Sequence, residues 1–270
     1  MEKIKRNERI AAMTQILTAS PNRIFTLSYF GDLFSAAKST VSEDVAILQA
    51  AMRQFGLGQL ETVTGAAGGV RYRPVGLREG GREFIEGVCR MLMEKERRLP
   101  GGYLYFSDIL AIPELVRGMG SLIAGEYYDA RVDFVLTMET KGIPVALMAA
   151  EALRVPLVIA RRATKVYEGS AVNISYVSGS GAIETMALSR RAVKEGQRAL
   201  IVDDFIRGGG TARGMQELMK EFGVTVAGTC FVLALDSPKT PLPEGVKALM
   251  LMNDIRQDAE LFVRPAEWIQ

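Results

Sequence analysis

The densest chemistry in the chain lies between positions 199 and 211, which read Ala199-Leu200-Ile201-Val202-Asp203-Asp204-Phe205-Ile206-Arg207-Gly208-Gly209-Gly210-Thr211. Residues 199–202 predict a buried strand. The two adjacent carboxylates after it are placed to accept hydrogen bonds from a diol, or to face a magnesium ion through water. Three consecutive glycines let the backbone approach a phosphate closely. The loop then enters a helical pattern, whose first N–H groups and dipole favour an anion. Thr211 adds a hydroxyl at that terminus. The spacing is not G-x-x-x-x-G-K-[ST], which excludes an ATPase P-loop. A plain strand-to-helix turn with acidic surface residues is the simpler alternative, but it has no use for three glycines beside two acids.

Other chemistry is excluded by what is missing. The chain has no histidine, so imidazole general bases, Ser-His-Asp and Cys-His catalysis and His-containing zinc sites are all ruled out. Cys89 and Cys230 are the only cysteines. They fit no metal or redox spacing and read as reduced, packed thiols. No metal site is expected from side chains alone. The N-terminal stretch carries charge but no apolar core of a signal peptide, and no apolar run approaches the ~20 residues of a membrane span. A cytoplasmic protein without membrane contact is the expectation.

The elements that must position the loop alternate. Val132–Met138, Pro156–Ala160, Ala199–Val202 and Val226–Leu235 read as buried strands, with helices at Ile143–Leu153 and Thr211–Phe222. This predicts a parallel sheet with covering helices, whose ligands sit beyond the carboxyl ends of the strands. Upstream, Pro74 to Gly81 reads as a joint, followed by one helix from about Arg82 to Arg98 and a stop at Leu99-Pro100-Gly101-Gly102.

The first 73 residues are different. They hold nine Lys/Arg against six Asp/Glu, while the remaining 197 hold 24 against 25. A helix around Ile4–Leu17, a short one over Leu27–Phe34, and a third carrying Val41, Val45, Leu48 and Met52 on one face precede two strands, 60–64 and 70–73. Thr40 and Glu43 fit a capping box for the third helix. Three helices and a hairpin predict a winged helix-turn-helix over 1–73, with residues 74–270 as a second domain in which 74–102 form the joint and linking helix. Such a unit presents the start of its third helix to the major groove. Ser39, Thr40 and Ser42 would then face bases. Lys5, Arg6, Arg9 and Lys38 would meet phosphates, and Arg71 and Arg73 would do so from the wing. Glu43 and Asp44 on the same helix would repel phosphate. A protein-docking module with solvated basic residues is the competing reading.

Residues 199–211 resemble the phosphoribosyl-diphosphate (PRPP) motif of the type I phosphoribosyltransferases: apolar residues, two acids and a loop ending Gly-Gly-Thr. The resemblance implies an α/β fold with Asp203 and Asp204 on the ribose hydroxyls and with Arg207, Gly208, Gly209, Gly210 and Thr211 cradling the 5′-phosphate, Phe205 and Ile206 belonging to the same effector site. By the same resemblance Thr140, Lys141 and Gly142, after Glu139, stand where the family places a pyrophosphate loop. Arg161 and Lys165 stand at the base of a hairpin, running to Gly181, that closes over ligand. Fused to a winged helix, with Tyr176-Val177-Ser178-Gly179-Ser180 in the hairpin, the chain resembles the purine operon repressors of Gram-positive bacteria. That implies a homodimer on double-stranded DNA of purine gene control regions, relieved by PRPP with Mg2+ as effector rather than by a required cofactor. Guanosine tetraphosphate is implied as a competing ligand, with Tyr103 and Phe205 as candidates to stack a base. The rival reading is a purine phosphoribosyltransferase salvage enzyme, alone or bifunctional. Against it, Arg207 stands where hypoxanthine-type members carry a proton-accepting acid. That weakens catalysis, although orotate- and adenine-type members lack the acid too. A DNA-reading module also has no role in a plain salvage enzyme, and a sensor without catalytic residues is the expectation.

Overall fold

The computed structural model describes residues 4–65, 68–74, 80–163, 169–178, 181–236, 238, 241–255 and 260–269. The chain packs as two compact units, Met1–Gly76 with Glu151–Arg154, and Leu77–Ala150 with Val155–Gln270.

The N-terminal unit runs α1 (Arg6–Thr18), β1 (Ile24–Phe25), α2 (Leu27–Phe34), α3 (Lys38–Gln54), β2 (Gln59–Val63) and β3 (Gly69–Arg73). β3 lies between β1 and β2, antiparallel to both. The short β1 strand had no sequence signal, since two residues carry no periodicity. Met13, Leu17, Phe30, Val41, Leu48 and Leu60 form the core, and the expected face of α3 is the buried one. Its opposite face exposes Ser39, Ser42, Glu43 and Ala46.

Two expectations for α3 fail. The helix begins at Lys38 behind Ala37, with no side-chain cap, so Thr40 and Glu43 lie inside it and form no capping box. Asp44 does not repel incoming phosphate either. It is fully buried, and its carboxylate receives Arg9 Nε at 2.6 Å and Nη2 at 3.2 Å. Burial of both partners makes this a bidentate pair inside the core, tying α1 to α3.

The second unit begins with α4 (Gly81–Leu92), which ends short of the expected Arg98. After Leu92 the chain offers Lys95-Glu96-Arg97-Arg98 and no further apolar face. Arg97 instead donates to Asp108 at 2.7 and 2.9 Å. The glycines at 101 and 102 do not stop a helix. With φ of 82° and 75° they turn β4 (Arg98–Leu99) back onto β5 (Tyr103–Leu104). Then follow α5 (Pro113–Tyr127), β6 (Phe134–Met138), α6 (Ile143–Leu153), β7 (Leu157–Ala160), β8 (Ala171–Val177), β9 (Ile183–Ser189), β10 (Arg198–Ile206), α7 (Gly210–Glu221), β11 (Thr225–Leu235), β12 (Val246–Met252) and β13 (Val263–Pro265).

Six strands form one sheet in the order β13-β12-β11-β10-β6-β7. All neighbours are parallel except the β12–β13 pair. β10 over Ala199–Val202 and β11 over Cys230–Leu235 are apolar on both faces, as central strands of a covered parallel sheet are, and the core gathers Phe134, Leu136, Ile201, Met215, Leu218 and Phe231 around them. β8 and β9 form a separate antiparallel pair, attached through the bridge Arg161↔Ala187. No helix among the described residues is long and apolar enough to cross a membrane.

The buried pair sets a graded expectation for the N-terminal unit. Asp44→Ala strands the Arg9 guanidinium and lowers stability by roughly 3 kcal/mol, the low end for an uncompensated buried charge, because Arg9 keeps the Ile4 carbonyl. Glu43→Ala removes only an exposed contact to Arg6 and costs under about 1 kcal/mol. Urea unfolding of both variants separates the two, and equal losses would refute the role given to burial.

Candidate functional site: an anion loop behind an acid pair

β10 runs on through Ile206, so the acids are the strand's last turns of pleat rather than a loop after it. Asp203 is 5% exposed. Its Oδ1 accepts the backbone N–H of Asp204 at 3.0 Å and the Thr137 hydroxyl at 3.4 Å. Burial above all, and then the Asp204 charge, hold the Asp203 carboxyl well above the ordinary carboxylate range. Burial also raises Asp204, against the nearby Lys141 cation, which lowers it. Two desolvated carboxyls side by side call for positive charge or hydrogen-bond donors from outside the chain. A ribose diol or a divalent cation is of that kind.

The loop beyond β10 supplies the complementary half. Gly209 has φ 74°, and α7 starts immediately after it. An L side chain at 209 would be strained, and its Cβ would lie 2.9 Å from Pro243 Cδ. The first N–H groups of α7 are therefore presented by a turn that only glycine makes comfortably. Ile206, Arg207, Gly208, Gly209, Gly210 and Thr211 line a cavity of about 550 Å³, together with Gly101, Tyr103, Phe205 and Phe231. Tyr103 stands at its rim, 63% exposed. Arg207 turns towards the β4–β5 hairpin, where Nη2 donates to the Gly102 carbonyl at 3.3 Å, and its guanidinium carbon lies 5.9 Å from the Phe205 ring centre. Its buried Nε has no hydrogen-bond partner among the described residues.

Thr140, Lys141 and Gly142 form the turn between β6 and α6. Gly142 is pressed against the acid pair so closely that a Cβ there would sit 1.9 Å from Asp203 Oδ1. The Lys141 ammonium lies 5.8 Å from the Phe106 ring centre. Arg161, at the end of β7, reaches Glu139 at 3.5 Å. Lys165, Gly179 and Ser180 lie outside the described residues. Sequence reasoning missed Thr137 and Arg213. Arg213 donates Nη1 to the Pro241 carbonyl at 3.1 Å and Nη2 to the Gly208 carbonyl. A cation three positions into a helix after Gly-Gly-Gly-Thr was the available signal.

In the N-terminal unit Lys5, Arg6, Lys38, Ser39 and Ser42 are exposed, and Thr40 is half-buried. Arg6 is shared with Glu43 at 2.9 Å. Arg9, expected on phosphate, is committed to Asp44 within the core. Arg71 and Arg73 both reach Glu61, at 2.8 and 2.9 Å. Arg73 is moreover buried, so the wing presents Arg71 partly neutralised and Arg73 turned inward.

Comparison with known proteins follows the same division. The family model for the bacterial purine repressor N-terminal domain matches residues 5–74, and that for the phosphoribosyl transferase domain matches residues 106–268. The purine biosynthesis transcriptional repressor PurR of Bacillus subtilis is 40% identical over 254 residues, covering 94% of this chain and 89% of its own. The chain belongs to the bacterial purine repressor family. Another relative, the purine biosynthesis transcriptional activator PurR of Lactococcus lactis, is 43% identical over 231 residues, 85% of each chain. Among solved structures, adenine phosphoribosyltransferase from Rhodothermus marinus aligns with a TM-score of 0.53 at 24% identity, over 62% of this chain and 96% of its own. The second unit of this purine repressor thus has the phosphoribosyltransferase fold.

Carboxyls held above their unfolded values bind protons more tightly in the folded state, so they make stability fall as pH rises from the ordinary carboxylate pKa through the raised one. Asp203→Asn keeps the Oδ1 acceptor and removes the charge. It is expected to stabilise the ligand-free protein at neutral pH by about 1 kcal/mol, as relief at functional sites commonly does, and to flatten that decline. Parallel melting-temperature profiles of variant and wild type across the acid range would contradict the buried-charge account.

Proposed function

We propose that this protein is a DNA-binding transcriptional regulator of purine biosynthesis genes, acting as a repressor whose hold on DNA is relieved by PRPP. The observation that carries this reading is the joining of two things in one chain. One unit is a purine repressor N-terminal domain. The other carries an anion loop behind a buried Asp203 and a half-buried Asp204, with a cation, Arg207, inside the loop.

On this reading Asp203 and Asp204 take the ribose hydroxyls, with a magnesium ion facing them through water. Gly208 to Thr211 hold the 5′-phosphate on the first N–H groups of α7. Lys141 and the 140–142 turn meet the pyrophosphate, and Tyr103 and Phe205 flank the part of the cavity left for a base. The last contact admits guanosine tetraphosphate as a competitor for the same loop. Arg207 strengthens anion binding and accepts no proton, which favours a sensor over a transferase. Regulation needs no chemistry. PRPP has only to bind the DNA-free state more tightly than the DNA-bound one, and its several negative charges disfavour an approach to DNA. Ser39 and Ser42 would approach base edges, with Lys5, Arg6 and Lys38 on phosphates. A homodimer acting in the cytoplasm matches the two-fold habit of helix-turn-helix proteins.

Fluorescence anisotropy of a labelled purine-gene control region, at fixed salt and with or without Mg-PRPP, tests the reading. Tight binding that weakens with PRPP is expected. Asp203→Ala with Asp204→Ala should bind DNA as the wild type does and ignore PRPP at concentrations that release the wild type. Absence of DNA binding, together with pyrophosphate release when a purine base is added, would make the protein a phosphoribosyltransferase instead.

A further inference from the structure

A loop that binds an anion through backbone N–H groups must turn the corresponding carbonyls outward, and each of those carbonyls needs a donor of its own. Here the donor is Arg213. Its guanidinium donates to the Gly208 carbonyl and, through the other terminal nitrogen, to Pro241 at 3.1 Å. The Gly208 carbonyl and the Gly209 N–H belong to one planar trans peptide, in which they point in opposite directions. Holding the oxygen on the Arg213 side aims the Gly209 N–H the other way. The outer side of Gly209 is closed, since a Cβ there would lie 2.9 Å from Pro243 Cδ and 3.2 Å from Arg213 Nη1. Its inner side lines the cavity, whereas Arg213 does not. A cation in the first turn of α7 also opposes the helix dipole, so its place there calls for a local reason.

We propose that Arg213 is a positioning residue of the anion loop, clamping the Gly208–Gly209 peptide between α7 and the segment at Pro241–Pro243 so that the Gly209 N–H is preset to receive a phosphate monoester. The inference rests on the reading of this loop as the 5′-phosphate site of PRPP. Arg213 touches no ligand. It acts by sparing the loop the ordering that phosphate binding otherwise demands.

The test is calorimetric titration of full-length wild type, Arg213→Ala and Arg213→Lys with Mg-PRPP and, separately, with ribose 5-phosphate, at low and at high salt. Arg213→Ala should weaken both ligands by roughly tenfold, the loss of one well-aimed hydrogen bond to a charged group. That ratio should persist at high salt, where a distant charge is screened. Arg213→Lys, which can serve one carbonyl, should recover part of the affinity. In the ligand-free proteins, amide hydrogen exchange at Gly209 and Gly210 should be faster in Arg213→Ala, with the rest of α7 unchanged. Wild-type affinity in Arg213→Ala would overturn the proposal. So would a deficit that vanishes at high salt, which would make Arg213 a field charge rather than a clamp. Ribose 5-phosphate binding without PRPP binding by the wild type would overturn the PRPP reading and leave the clamp standing. Failure of the wild type to bind either would overturn both.

Discussion

The second unit is organised around a buried carboxyl, Asp203, and its half-buried neighbour Asp204, at the end of a strand that has apolar layers on both of its faces. A central strand of a parallel sheet ordinarily ends in solvent, where charge is harmless. β10 instead continues through Asp203 and Asp204, and the surroundings adapt to them. Thr137 and the Asp204 N–H donate to Asp203, Gly142 gives up its side chain to let the neighbouring turn come close, and Lys141 stands near Asp204. None of these fully replaces water. The free protein is left with an electrostatic deficit at one point, and a ligand with hydroxyls or a cation is the natural complement to it.

The anion loop answers the same constraint from the other side. Acids that attract donors and a helix start that attracts phosphate stand at consecutive positions of one chain segment, so a sugar phosphate is gripped at two ends by groups whose spacing is covalent. Such a segment works only if its peptides are aimed beforehand, which is why the surroundings of Gly208 and Gly209 carry so much of the geometry.

The loop was legible in the sequence because its signal is local and contiguous. α2 and α6 fell on the bounds that their apolar spacing indicated. Where the sequence misled, the deciding partner lay far along the chain. Arg9 reads as a phosphate contact until Asp44, 35 residues away, is seen to take it. Arg73 reads as a wing cation until Glu61 and burial remove it. α3 starts at Lys38 without a cap because packing of Val41 and Val45 fixes it, not end chemistry. α5 went unread in the sequence although Val116, Met119, Ile123 and Tyr127 stand at helical spacing on its buried face. β12 and β13 exist through sheet pairing that no window of sequence contains. The extension of β10 was hidden by the acids themselves, which look like the end of a strand.

Glu61 has a consequence of a different kind. By gathering Arg71 and Arg73 onto one carboxylate, and with Asp44 holding Arg9 in the core, the N-terminal unit spends much of its arginine on itself. Each phosphate that a protein neutralises releases condensed counterions and steepens the logarithmic dependence of affinity on salt by roughly 0.9. With Arg9, Arg71 and Arg73 committed in this way, the unit offers phosphates fewer cations than its composition suggests and releases correspondingly fewer counterions. Its grip on a duplex would then be less steep in its salt dependence than nine cations alone imply, with hydrogen bonds and shape carrying the difference.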